Sequence, residues 1–406
     1  MKYLIVVPDG AADREIDSLG GSTPLSEAGM NYTNSLAAEG EVGLVRTVPD
    51  SVAPGSDAAN LSVMGYDPSI YLTGRSPLEA ASIGIDMAES DVAFRANIVT
   101  LAGDGAYEDL IIKDHSSGDI STDEAIILIE AINSEFADKN IRFYTGVSYR
   151  HCMIVKNGAL NYELTPPHDV LGNRAGNHLP KGDGSNFITE MMKKSYVILK
   201  NHPINAARSA KGLNPANSLW IWGQGRKPTL DSFYKKYNIT GSVVCAVDLI
   251  KGIGICAGLT PIDVPGATGT LNTNYAGKAD AAISEFRKGK DFVYIHIEAP
   301  DECSHQGDLE GKIESLGRID REIVKPTAEY LMGSGEGFKI MVLPDHRTPL
   351  AIRTHSAEPV PFVIYDSAKK PERDESRTFT EKSGGTGQFF ESGFALADYF
   401  FKGKRR

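Results

Sequence analysis

The chain has 406 residues, of which 41% are apolar and 23% are charged, and its formal net charge is -11. This composition excludes a disordered chain, and the length predicts two compact domains. An excess of negative charge repels nucleic-acid phosphates and anionic lipid, so we expect neither nucleic acid nor membrane as a partner.

The four cysteines indicate a reducing compartment. Cys152, Cys245, Cys256 and Cys303 form no C-x-x-C pair and no dense framework, which argues against a disulfide scaffold and against a cysteine zinc site. The first apolar run, residues 3–7, stops at Pro8, far short of a signal-peptide core or of the ~20 residues of a spanning helix. We therefore predict a cytoplasmic protein.

The first predicted element is a buried strand over residues 4–9, which reads Leu-Ile-Val-Val-Pro-Asp. An apolar run without alternation is typical of a parallel strand that is covered on both faces. Proline ends the strand because it cannot donate to the ladder. Asp9 is then expected just past the carboxyl end of the strand, where open α/β sheets bind ligands.

The next segment, residues 54–65, contains a candidate nucleophile. Gly55 permits a sharp turn, and Ser56 begins a helix rich in Ala, Leu and Met that ends at Gly65. A serine at this position directs its hydroxyl to the same place as the free N–H groups of the helix start, which suits a phosphate. The alternative is that Ser56 only caps the helix.

A smaller α+β domain is predicted over residues 91–178. Strands are expected near 93–101, 110–113, 141–144 and 150–155, with one strong helix over 122–136. The flanking segments, 1–90 and 179–406, are expected to form the larger domain.

Later strands and helices alternate along the chain. Further strands are predicted at 220–222, 243–247 and 361–365, and helices at 278–287 and 311–331. The Pro-Asp ending of residues 4–9 recurs in the runs 294–301 and 340–345. We therefore predict an α/β fold, a doubly wound and mostly parallel sheet, that delivers carboxylates from three strands to one edge. Chance occurrence of a common turn pair is the alternative.

Histidines accompany the second and third Pro-Asp pairs. His305 follows Asp301 by four residues, a spacing that places both side chains on one helical face. Oxygen and nitrogen ligands without thiolate suit Zn²⁺ or Mn²⁺, with Mg²⁺ as the alternative where carboxylates dominate. Each residue alone is explained as a cap or a packed side chain, but the set matches the requirement of two cations. Its members are Asp9, Asp301, His305, Asp345, His346 and His355.

Taken in order, these segments resemble the alkaline phosphatase superfamily and, within it, the archaeal-type cofactor-independent phosphoglycerate mutases. The resemblance spans nearly the whole chain and implies an alkaline phosphatase-like core. The segments that carry it are Val7-Pro-Asp-Gly10, Pro54-Gly-Ser-Asp-Ala-Ala-Asn-Leu-Ser-Val-Met-Gly-Tyr-Asp67, Asp301 with His305, Pro344-Asp-His346, and His355 followed by Pro359-Val-Pro-Phe362.

The resemblance implies a two-metal phosphotransferase that interconverts 3-phosphoglycerate and 2-phosphoglycerate. Ser56 becomes phosphorylated in the cycle and no free bisphosphate is needed. The implied ligands are Asp9, Ser56, Asp345 and His346 for one cation, and Asp301, His305 and His355 for the other.

The inserted domain is expected to close over the site, to hold the glycerate carboxylate and to exclude water. The candidate substrate contacts are Asp114, His115, Arg150 and Lys251. Arg150 suits bidentate binding of a carboxylate or phosphate, although an exposed arginine is equally often only solvated.

One segment departs from the family pattern. Where the archaeal mutases typically show Asp-Arg-Arg-Ala-Gly-Arg, residues 114–119 read Asp-His-Ser-Ser-Gly-Asp. Loss of cationic positions weakens the case for a strongly anionic substrate. The alternatives are therefore a homoserine kinase-like phosphotransferase, a metal-dependent phosphohydrolase, and a metal-binding protein without activity.

Overall fold

The computed structural model describes residues 1–369 and 371–403. Strands and helices alternate through most of this part of the chain. The strands are β1 (Lys2–Pro8), β2 (Glu41–Val45), β3 (Val92–Ala102), β4 (Ile111–Asp114), β5 (Ile141–Tyr144), β6 (Arg150–Val155), β7 (Ser218–Arg226), β8 (Gly241–Val244), β9 (Thr260–Ile262), β10 (Phe292–Ile297), β11 (Phe338–Val342), β12 (Val360–Asp366) and β13 (Gln388–Phe390).

The helices range from one to four turns. They are α1 (Pro24–Glu27), α2 (Asn31–Ala38), α3 (Ser56–Val63), α4 (Pro68–Tyr71), α5 (Ser76–Ser82), α6 (Thr122–Phe136), α7 (Asn186–Lys200), α8 (Pro203–Ala210), α9 (Phe233–Tyr237), α10 (Asp248–Cys256), α11 (Tyr275–Arg287), α12 (Ala299–Gln306), α13 (Leu309–Ile319), α14 (Lys325–Gly333), α15 (Glu381–Gly384) and α16 (Gly393–Lys402). A π-helical turn, Asp320–Val324, joins α13 to α14, so the helix predicted over 311–331 is interrupted.

The chain forms two compact units. The first comprises Met1–Leu72 and Thr229–Arg406, and the second comprises Thr73–Pro228. The second unit is wider than the predicted 91–178, because β7 pairs with β3 along residues 92–99 and so belongs to the same sheet. The boundaries predicted at 90 and 179 are therefore wrong.

The first unit contains an eight-stranded sheet in the order β13-β2-β12-β11-β1-β10-β8-β9. Only β12, among the described strands of this sheet, runs antiparallel to its neighbours. The central strand β1 lies between β11 and β10 and is parallel to both. The predicted α/β fold with a mostly parallel sheet is confirmed.

Both faces of the central strands are covered, which explains their apolar runs. Leu4 and Val6 belong to a core that includes residues of α2, α11 and α14. On the opposite face, the Tyr3 ring packs against Phe400 and Phe401 of α16. Because a parallel strand buries both faces, alternation of polar and apolar residues is lost.

The second unit is an antiparallel sheet with helices. Its strands follow the order β4-β3-β6-β5, and β7 pairs with the other edge of β3. Helices α6 and α7 supply the main core on one face, and Ala80 of α5 packs in a small cluster with Ala93 and Cys152. The α+β interpretation of this segment is confirmed, but the strand predicted at 220–222 lies in this sheet rather than in the larger one.

Cys152, Cys245 and Cys303 are buried free thiols. Within residues 1–369 and 371–403, every helix is too short or too polar to cross a membrane.

Candidate metal centre and nucleophile

Three aspartates follow the adjacent strands β11, β1 and β10. Asp9 comes directly after β1, and Asp345 follows β11 through Leu343 and Pro344. Asp301 differs from the prediction, because β10 ends at Ile297 and Asp301 lies in the first turn of α12. All three aspartates are buried, so the sheet brings three carboxylates into one low-dielectric region.

The first ligand group comprises Asp9, Asp345 and His346, whose ligand atoms lie within 4.8 Å of one another. The Nε2 atom of His346 is 3.5 Å from Asp9 Oδ1 and 3.5 Å from Asp345 Oδ2. The Ser56 hydroxyl lies 3.1 Å from the same Nε2 atom. The structure therefore brings together the four residues predicted for one cation.

The second ligand group comprises Asp301, His346 and His355, again within 4.8 Å. The His305 Nε2 atom lies 3.1 Å from Asp301 Oδ2 and 3.1 Å from His355 Nε2. Asp301 and His305 occupy one face of α12 at the predicted spacing of four residues. His346 thus stands in both groups, whereas the sequence assigned it to one.

The Ser56 side chain is positioned by the start of α3. Gly55 occupies the N-cap position and Ser56 is the first residue of the helix, so the interpretation of Ser56 as the cap is wrong. One turn later, the Asn60 amide donates to the Ser56 carbonyl at 2.8 Å and to Asp345 Oδ2 at 2.7 Å. Asn60 thereby ties the helix start to a carboxylate of the first ligand group.

Burial is the largest single influence on the pKa of each of the three carboxylates, but the net shifts differ. Burial, together with the charges of Asp345 and Asp301, raises the pKa of Asp9 well above its usual value. Burial also acts to raise the pKa of Asp301, but hydrogen bonds from His305 and His355 outweigh it and the net shift is downward. The hydrogen bond to Asp301 raises the pKa of His305 to about 9. Both shifts favour the charged forms of the pair, the Asp301 carboxylate and the His305 imidazolium.

The donor set fits divalent cations. Asp9 Oδ1 is buried and lacks a hydrogen-bond partner among the described residues, a costly arrangement unless a cation or proton compensates it. The His305 Nδ1 atom lies 2.9 Å from the Arg353 carbonyl and must donate to it, which directs Nε2 toward Asp301. Imidazole nitrogens held by backbone carbonyls in this way are the usual form of a histidine ligand.

Three supporting side chains were not predicted from the sequence. They are Asn60, Thr348, which bonds Asp301 and His346, and His296, whose buried Nε2 lies 3.2 Å from Asp9 Oδ2. Burial lowers the pKa of His296 to about 4. The available signals were weak: an asparagine one turn after Ser56, and a histidine within an otherwise apolar strand.

The predicted substrate contacts divide between the units. Asp114, His115 and Arg150 lie in the second unit, and Lys251 lies in the first. Asp114 accepts hydrogen bonds from its own loop, including the N–H groups of residues 116 and 118. Lys251 Nζ forms an ion pair with Asp263 at 2.7 Å. Asp114 and Lys251 therefore already have protein partners.

His115 and Arg150 contact mainly aromatic rings through their side chains. The His115 ring packs edge-on against Tyr149 and near His168, and its buried Nδ1 has no partner among the described residues. Arg150 is exposed and its guanidinium lies 5.5 Å from the centre of the Tyr149 ring. Arg150 therefore presents an exposed guanidinium, whereas His115 has one buried ring nitrogen without a partner among the described residues.

The chain is similar to proteins of one family. The family of 2,3-bisphosphoglycerate-independent phosphoglycerate mutases matches residues 37–205. A protein of that name from Methanosarcina mazei is 49% identical, and the match covers 94% of this chain and 95% of the relative.

Two solved structures cover nearly the whole chain. A protein from Pyrococcus horikoshii has a TM-score of 0.82 and 28% identity, over 99% of this chain and 96% of the other. A cofactor-independent phosphoglycerate mutase from Thermoplasma acidophilum has a TM-score of 0.65 and 25% identity, over 99% of both chains.

Proposed function

The chain belongs to the 2,3-bisphosphoglycerate-independent phosphoglycerate mutase family, and from that premise we propose that it interconverts 3-phosphoglycerate and 2-phosphoglycerate through a phosphoserine on Ser56. The observation that carries the proposal is the contact between the Ser56 hydroxyl and His346, which stands in both ligand groups.

Two divalent cations are proposed at the ligand groups. Asp9, Ser56, Asp345 and His346 would hold one cation, and Asp301, His305 and His355 the other, with His346 within reach of both. We propose Mn²⁺ or Zn²⁺, with Mg²⁺ as the alternative, because the ligands mix carboxylate with imidazole. When bound, the cations neutralise charge on the transferring oxygens and lower the pKa of the serine hydroxyl.

Ser56 carries the phosphoryl group between two hydroxyls of the glycerate. Its Oγ forms a bond to phosphorus while the bond from phosphorus to the 3-oxygen breaks, and the departing oxygen takes a proton in exchange for the one that Ser56 loses. The 2-hydroxyl then attacks the phosphoserine, loses its proton, and returns Ser56 to the hydroxyl form. Because Asn60 holds the Ser56 carbonyl, the nucleophile keeps its orientation through both transfers.

The substrate contacts are also proposals. Arg150 and His115 are proposed to bind the glycerate carboxylate, since a guanidinium provides paired N–H donors and His115 has an unused ring nitrogen. Asp114 is proposed to order the loop that carries His115, because its carboxylate accepts hydrogen bonds from the N–H groups of Ser116 and Gly118 in that loop. Lys251 is proposed to contact phosphate only after its ion pair with Asp263 has broken.

We propose a cytoplasmic location, supported by the buried free thiols of Cys152, Cys245 and Cys303. The net charge of -11 disfavours nucleic acid and anionic lipid as partners. The proposed partner is the small phosphorylated substrate.

The direct test incubates manganese-loaded protein with 3-phosphoglycerate and follows 2-phosphoglycerate by ³¹P NMR. Ser56→Ala should abolish conversion and phosphate labelling of the protein. Ser62→Ala is the matched control, because Ser62 lies on the same helix and its buried hydroxyl has no partner among the described residues. Conversion by Ser56→Ala at the rate of the control would refute the proposal, and release of inorganic phosphate would identify a phosphohydrolase.

A second candidate is phosphorylation of homoserine. It is favoured by the loop 114–119, which carries carboxylates at Asp114 and Asp119 and no Lys or Arg. Exposed Asp119 offers a charge partner for an ammonium group. Formation of O-phosphohomoserine from homoserine and a phosphoryl donor, without formation of 2-phosphoglycerate, would establish this function instead.

A further inference from the structure

The Thr348 side chain lies between the two ligand groups. Its Oγ1 atom is 2.5 Å from Asp301 Oδ1 and 3.2 Å from His346 Nδ1. Thr348 is completely buried, so these two contacts are not exchanged for water. One hydroxyl thus connects a carboxylate of the second group to the histidine common to both.

The number of protons available for donation determines the direction of these two hydrogen bonds. A threonine hydroxyl has one proton to donate, and in the shorter of its two contacts Thr348 donates that proton to Asp301 Oδ1. The remaining bond must therefore run from His346 Nδ1–H to the Thr348 oxygen. A neutral imidazole protonated at Nδ1 keeps its lone pair on Nε2, which is the atom that faces Ser56 and the first ligand group.

A buried framework holds Thr348 in place. Lys312 Nζ donates to the Thr348 carbonyl at 3.0 Å and to Asp13 Oδ2 at 2.8 Å. The Thr348 N–H donates to the Ala12 carbonyl. Since Lys312 and Asp13 are themselves buried, the position of the hydroxyl is determined by the fold.

We propose that Thr348 is a positioning residue that sets the tautomer of His346 and links the two ligand groups. This inference rests on the proposed function for its consequence in cation binding, but the tautomer is a property of the metal-free chain. Loss of the hydroxyl removes the acceptor of His346 Nδ1–H and a donor to Asp301. Removal of such a supporting partner typically weakens metal binding about 10- to 100-fold.

The variants separate the hydroxyl from the packing. Thr348→Val keeps the shape and removes the hydroxyl, and Thr348→Ser keeps the hydroxyl. Thr327→Val is the matched control, because Thr327 is also buried and, among the described residues, its hydroxyl bonds only the backbone carbonyls of Ile323 and Val324.

The first measurement is imidazole ¹⁵N NMR on chelator-treated protein, with the His346 signal identified by its loss in His346→Gln. The wild type, Thr348→Ser and Thr327→Val should show His346 protonated at Nδ1, and Thr348→Val should show a mixture of tautomers. Protonation of wild-type His346 at Nε2 would overturn the proposal, whether or not the Thr348 variants fold. An unchanged spectrum in Thr348→Val would overturn it as well.

The second measurement is calorimetric titration with Mn²⁺. Thr348→Val should bind about 10- to 100-fold more weakly than wild type, while Thr348→Ser and Thr327→Val should bind like wild type. Wild-type affinity in Thr348→Val would overturn the link between the ligand groups. If the wild type binds none of Mn²⁺, Zn²⁺ and Mg²⁺, the proposed function fails, and the NMR result decides the role of Thr348 separately.

Discussion

Gly10 is the residue at which the geometry of the site makes its sharpest prediction. Its φ of +62° is in the left-handed region, and a Cβ atom there would lie 2.5 Å from Thr348 Oγ1 and 2.7 Å from Asp301 Oδ1. Gly20 has a φ of +64°, but a Cβ there would meet nothing within 4 Å. The two glycines share a backbone conformation and differ in surroundings.

Comparing Gly10→Ala with Gly20→Ala separates the cost of backbone strain from the cost of steric crowding. A left-handed alanine costs about 1–2 kcal/mol, so Gly20→Ala should lose about that amount of unfolding free energy. Gly10→Ala adds overpacking against two buried side chains, about 1–3 kcal/mol more. The expected loss is therefore about 2–5 kcal/mol for Gly10→Ala, with a displaced Asp301 and weaker cation binding.

Urea unfolding with a chelator present measures the first effect, and Mn²⁺ calorimetry measures the second. Gly20→Ala should retain wild-type Mn²⁺ affinity. If Gly10→Ala is no less stable than Gly20→Ala and binds Mn²⁺ like wild type, then the close approach of Gly10 to Thr348 and Asp301 does not exist in solution.

Three further predictions concern the surroundings of the ligand groups. Lys312→Met should lower the free energy of unfolding in urea by about 3–5 kcal/mol, because it leaves the buried Asp13 carboxylate without its ion-pair partner. Adding Asp13→Asn should recover part of that loss. If the losses of the two single variants simply add in the double variant, the prediction is contradicted. Asn60→Ala should lower the free energy of unfolding by about 1–3 kcal/mol. It should also lower kcat more than it raises KM, because Asn60 bonds both the Ser56 carbonyl and the Asp345 carboxylate. Equal effects on kcat and KM would refute the positioning role. The hydrogen bond to Asp301 raises the pKa of His305 to about 9. The pair should therefore stabilise the metal-free protein fully at a pH below about 6.5, the ordinary histidine pKa. This contribution should be lost as the pH rises through about 9. Mn²⁺ must then displace a proton from His305 at pH 7, so affinity should rise with pH up to about 9; calorimetry in buffers of different ionisation enthalpy should detect the proton, and its absence would contradict the prediction.

The sequence was most informative where a local pattern has a single physical solution. The run at residues 4–8 lacks alternation because both faces of β1 are covered, and the strand was predicted correctly. Helix α6 spans the predicted residues and begins after a Ser121 cap. Its core-facing residues are Ala125, Leu128, Ile129 and Ile132. The Asp301–His305 spacing required only the period of a helix.

Nonlocal relations were not predictable in this way. The run at 220–222 is strand-like whichever sheet it joins, and only its pairing with β3 reveals the second unit. Thr348 looks like an ordinary loop residue until the fold places it beside Asp301. His296 is similar, because a histidine inside a strand carries no local sign of the carboxylate that it faces.

The central place of β1 has a consequence for biosynthesis. This strand emerges from the ribosome before either of its neighbours, since β10 and β11 lie at residues 292–297 and 338–342. Until those segments are translated, the nascent chain carries Asp9 without the histidines that complete its surroundings. The first ligand group is complete only after translation of His346 and the second only after translation of His355, so the two proposed cations cannot both be bound before that point in synthesis.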